Sequence, residues 1–179
     1  GNSPSKLTYN IESTSTLSSS SRTGYTFNGW KPSASSGNWS GGTTYAGGTS
    51  VKGKYGNVTL VAQWTAKQYT LTIKGNGGTP DTQVLSPKLI FDGGNCWNIS
   101  GQLPTKTGYS IVGFFTSASG GEQVYDANGV CINGTYWQDK KYKYEGDLTV
   151  YAHWQANLEA KYDTARAYYN VENGNMPQT

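Results

Sequence analysis

The sequence predicts a mainly β chain built as two tandem copies of one small module. Three observations carry this reading. Short Thr/Val/Tyr-rich runs alternate with Gly, Asn and Ser turn segments. Paired motifs recur in the same order in the two halves. Two runs show strict apolar alternation, and each ends on Trp.

Composition supports a folded chain. The 179 residues suffice for one large or two small domains. Charged residues make up only 14%, whereas disordered chains carry high charge and few aromatics. Here 6 Trp, 14 Tyr and 4 Phe supply core material. A net charge of +3 with no Lys/Arg stripe argues against a nucleic-acid partner. No stretch approaches the roughly 18 apolar residues of a membrane-spanning helix, so no membrane insertion is expected. The opening Gly1-Asn2-Ser3-Pro4-Ser5 has no signal-peptide character and reads as a mature or trimmed piece of a longer protein.

The repeat is legible in register. Thr23-Gly24-Tyr25-Thr26-Phe27-Asn28-Gly29-Trp30 matches Thr107-Gly108-Tyr109-Ser110-Ile111-Val112-Gly113-Phe114. Gly56-Asn57-Val58-Thr59-Leu60-Val61-Ala62-Gln63-Trp64 matches Gly146-Asp147-Leu148-Thr149-Val150-Tyr151-Ala152-His153-Trp154. A weaker third match sets Lys6-Leu7-Thr8-Tyr9 against Tyr69-Thr70-Leu71-Thr72-Ile73. The predicted modules span residues 1–65 and 66–155, joined through Thr65-Ala66-Lys67, with a tail at 156–179. The second module is longer, with an insertion at about 81–103 and extra residues at 126–143. Such insertions map to loops.

Period two places Val58, Leu60, Ala62 and Trp64 on one strand face, and Leu148, Val150, Ala152 and Trp154 on another. Both faces are expected to be buried, with each Trp closing one end of a core. Gly29 and Gly113, just before an aromatic in a strand, predict a bulge or a close backbone approach.

These motifs resemble the Listeria–Bacteroides repeat, the B-repeat of internalin B-type surface proteins. The resemblance rests on Gly24-Tyr25-Thr26-Phe27-Asn28-Gly29-Trp30 with Val58-Thr59-Leu60-Val61-Ala62-Gln63-Trp64. In the second module it rests on Asn76-Gly77-Gly78, Leu103-Pro104, Thr107-Gly108-Tyr109 and the run ending at Trp154. It covers about residues 6–154. It implies β-grasp-like (ubiquitin-like) modules with little helix, in a bacterial protein that is secreted or at the cell surface. There such repeats act as spacers or as adhesion modules. The implied partner is a host or bacterial surface protein or a glycan. No catalytic residues or cofactors come with the family. Phe114 stands where the repeat usually has Trp, and Ser18-Ser19-Ser20-Ser21 replaces its Leu-Pro segment.

No catalytic constellation is visible in the residues. His153 is the only histidine, and no nucleophile or acid is placed beside it by sequence. Asp92 and Asp126 sit in Gly/Asn turns, where Asp is a structural choice. Asp126-Ala127-Asn128-Gly129 faintly resembles a calcium loop but lacks the closing Glu. Cys96 and Cys131 read either as two buried thiols or as one disulfide closing a long loop. Trp39, Trp97, Tyr136 and Trp137 sit in Gly/Asn-rich loops. Aromatics there either plug loops or form platforms for sugar rings, and loop packing is the plainer reading. A disulfide would bring the Trp97 and Trp137 loops together. In the tail, Leu158, Tyr162, Ala165 and Tyr169 fall at helical spacing, with an extended strand the alternative.

Overall fold

The computed structural model describes residues 5–94 and 96–158. The helix or strand considered for the tail falls almost wholly outside them. The chain divides into two compact units after Lys67. Thr65 and Ala66, read from sequence as linker, belong to the last strand of the first unit.

The first unit is built on one antiparallel pair, β1 (Tyr25–Ser35) and β2 (Val58–Ala66). A bulge falls between Phe27 and Gly29, as the glycine predicted. Gly29 has φ +121°, and a Cβ there would lie 2.7 Å from the Tyr45 carbonyl oxygen. That oxygen accepts from Trp30 N, so the chain must pass closely here. The weak match between residues 6–9 and 69–73 does not extend to secondary structure, because only the second copy forms a strand there. Residues 6–9 are irregular, and among the described residues the edge of β2 away from β1 has no strand partner.

Consequently the face of Val58, Leu60, Ala62 and Trp64 is only half-buried, not buried as the alternation predicted. The core lies in the loops instead. Leu17, Trp39, Tyr45 and Val51 are buried, with Tyr9, Trp30, Val58 and Leu60 packed against them. Trp64 packs outside that cluster, against Phe27 at 5.3 Å.

The second unit completes the sheet. It contains β3 (Gln68–Tyr69), β4 (Leu71–Lys74), β5 (Thr82–Val84), β6 (Leu89–Ile90), β7 (Tyr109–Phe115), β8 (Gln123–Asp126), β9 (Trp137–Gln138), β10 (Lys141–Tyr142) and β11 (Leu148–Ala156). Five of them form a mixed sheet in the order β5-β4-β11-β7-β8. Its centre is a parallel pair, β4 and β11, with Leu148 opposite Leu71 and Val150 opposite Ile73. That order is compatible with a β-grasp-like module. The connection between β6 and β7 carries one short 3-10 turn, Ser100–Gln102.

Here the alternation is fully used. Leu148, Val150 and Ala152 are buried with Leu71, Ile73, Phe114 and Val124, while Trp154 closes one edge of the cluster. Trp154 Nε1 donates to the Gly75 carbonyl at 2.9 Å. Gly113 is again a close approach, because a Cβ would sit 2.9 Å from the Tyr125 carbonyl oxygen.

Candidate functional site in the second unit

The two insertions of the second unit converge. The segment 81–103 supplies β6 and the loop after it, and the segment 126–143 supplies β9 and β10. Phe91 bridges to Tyr142, and Asp92 N donates to the Tyr142 carbonyl at 2.8 Å. Cys96 and Cys131 form a disulfide across the same two segments, with Cα atoms 6.0 Å apart. Asp92, held at positive φ by its Gly-Gly turn, accepts from Lys143 Nζ at 2.6 Å, with Lys141 Nζ at 3.8 Å.

Between these segments lies an open pocket of about 170 Å³. It is lined by Lys88, Leu89, Ile90, Gly93, Gly94, Trp97, Trp137 and Tyr142. All eight come from the two insertions. Lys88 is the one charged residue among them.

The four aromatic candidates separate on burial. Trp39 lies in the first unit's core, only 6% exposed. Its Nε1 donates to the Tyr9 hydroxyl at 2.7 Å, and Lys54 Nζ stands 5.1 Å above its ring. With its surface covered in this way Trp39 is a loop plug, not a platform, because the unit lacks a sheet core and must bury loop aromatics. Trp137 is 2% exposed and packs edge-on against Tyr125 and Tyr142. It therefore forms pocket floor, not a free face. Tyr136 is half-buried against Tyr144 at 4.8 Å and is not among the lining residues. Trp97 alone both lines the pocket and stays partly open.

The floor is unusual in its polar groups. Trp137 Nε1 and the Tyr125 hydroxyl are buried without a hydrogen bond of good geometry. Burial pushes the Tyr125 phenol well above its ordinary range, and the nearby Trp137 indole offsets this only in part. Burial does the same to Tyr142, helped by Tyr136, Tyr125, Tyr144 and Asp147. The Tyr142 hydroxyl donates to the Gly146 carbonyl at 2.7 Å. Tyr136 is also raised, first by burial and then by Tyr144 and Glu122.

Lys88, Leu89, Ile90, Gly93, Gly94 and Tyr142 carry no sequence motif that marks them as lining. Only the insertion itself was visible. Elsewhere the chemistry is structural. Asp126 Oδ1 accepts from Asn128 N and Val130 N, both at 2.9 Å, which occupies it in its own turn. His153 stacks on Phe115 at 4.0 Å, and its Nε2 lies 2.8 Å from the Ser117 carbonyl oxygen. Among the described residues no three His, Cys, Asp or Glu side chains gather as a metal site.

The family model of the Listeria-Bacteroides repeat domain matches residues 1–63 and again 69–136. The chain belongs to this family. It thus contains two tandem Listeria-Bacteroides repeats, and the second match stops short of β11. No curated protein and no solved structure shows significant similarity to the chain. Among the described residues no helix is long and apolar enough to cross a membrane.

Proposed function

We propose that this chain is a non-enzymatic repeat module of a bacterial secreted or cell-surface protein, serving as a spacer and as an adhesion or interaction module. One observation carries the reading: a duplicated Listeria-Bacteroides repeat whose second copy grows two loops into a braced pocket. The first unit, whose loop aromatics Trp39 and Tyr45 are buried in its own core, is the spacer. The second presents the contact. Family membership supports the extracellular setting, and the disulfide fits an oxidising compartment.

A glycan is the second reading, favoured by Trp97. An indole that lines an open pocket offers an apolar surface to the C–H face of a sugar ring. The test is retention of beads carrying the full chain on immobilised surface proteins and on a glycan array. Retention on either supports an interaction module, and loss of glycan retention in Trp97→Ala supports the second reading. Failure to be retained on any surface would leave the spacer role alone.

A further inference from the structure

We infer that the pocket between the two insertions of the second unit is a subsite for one ring of an acidic saccharide, a sugar bearing a carboxylate. The inference rests on the interaction-module reading above and names the ligand class of its pocket.

Size comes first. Pockets for drug-sized ligands run to about 300–1,000 Å³. At about 170 Å³ and open to solvent, this one admits a single ring, with the rest of a chain lying outside. That suits a residue within a polysaccharide.

Chemistry comes next. The lining is mostly apolar and aromatic, with Trp97, Trp137, Tyr142, Leu89 and Ile90. Such a surface takes the C–H face of a pyranose. Lys88 is exposed, is the only charged lining residue, and makes no ion pair or hydrogen bond among the described residues. Asp92, adjoining the lining glycines, has its carboxylate held by Lys143 and Lys141, so its charge is compensated. The uncompensated charge on the pocket is therefore positive and selects a carboxylate.

Rigidity comes last. The disulfide, the Phe91–Tyr142 bridge and the Lys143–Asp92 pair hold both walls before any ligand arrives. Less ordering is then needed on binding.

The test is titration of the full chain with hexuronate oligomers, sialylated oligosaccharides and their neutral counterparts, read by Trp fluorescence and calorimetry. Binding of an acidic series is expected, weakening as salt rises. The two acidic arms tell uronate from sialate. Lys88→Gln, a surface change, should weaken the acidic ligand about tenfold and leave neutral sugars unchanged. Trp97→Ala should weaken all saccharides by about the same factor, with thermal melts checking that the unit still folds. Tyr55→Ala, an exposed change in the first unit, should alter nothing. Equal binding of neutral sugars, indifferent to Lys88→Gln, overturns the acidic class while leaving a glycan module intact. Silence toward every saccharide overturns the inference, and retention on a protein surface would then still support the interaction module.

Discussion

Leu148 stands opposite Leu71 in a parallel strand pair, and both side chains are buried at the centre of the second unit. Val58, the residue that matches Leu148 in the first repeat, has no strand on that side and is half-buried. The same motif thus sits in a completed sheet in one copy and at an open edge in the other.

The first prediction concerns stability. Amide exchange should protect β4 and β11 far more than β2, because exposed edge hydrogen bonds open locally. Leu71→Ala should destabilise the second unit by about 2–5 kcal/mol. Leu60→Ala should cost the first unit clearly less, since Leu60 is only partly buried. Similar costs in denaturant melts of the two variants would contradict the asymmetry.

Reduction provides the second. The Cys96–Cys131 bridge spans a sequence separation of 35. Opening it should cost the second unit about 3–4 kcal/mol on the chain-entropy account. The first unit, which has no cysteine, should melt unchanged. Calorimetry with and without a thiol reductant checks both halves of the expectation.

Alkaline titration is the third. The Tyr125 and Tyr142 phenols are raised by burial, so the folded state keeps their protons when the unfolded state begins to lose them. Their contribution to stability is fully present below the unfolded tyrosine value of about 10 and declines above it. The slope approaches about 1.4 kcal/mol per pH unit for each phenol. Urea midpoints of the second unit should fall above about pH 10. Tyr125→Phe should flatten the fall, and an unchanged slope in that variant would contradict the assignment.

The fourth prediction turns on Gly29. At φ +121°, with a virtual Cβ 2.7 Å from the Tyr45 oxygen, alanine meets both backbone strain and a clash. Gly29→Ala should destabilise the first unit by about 1–3 kcal/mol, measured by its thermal midpoint. Gly42→Ala, where a Cβ meets nothing, should be close to neutral.

Sequence alone determined the duplication, the mainly β class and the period-two faces of β2 and β11. Those follow from residue types a few positions apart, because alternation is a property of the extended backbone itself. It also located the insertions and the turn at Asp126. Tertiary structure alone decided which face would be buried. Leu148 is buried because Leu71, distant in the chain, lies beside it, and Val58 is not because residues 6–9 do not pair. The same holds for the loop aromatics. Trp39 and Trp137 became packing while Trp97 stayed partly open, according to what other segments place over each ring. Burial and pocket walls are non-local sums of contacts, and no spacing along the chain encodes them.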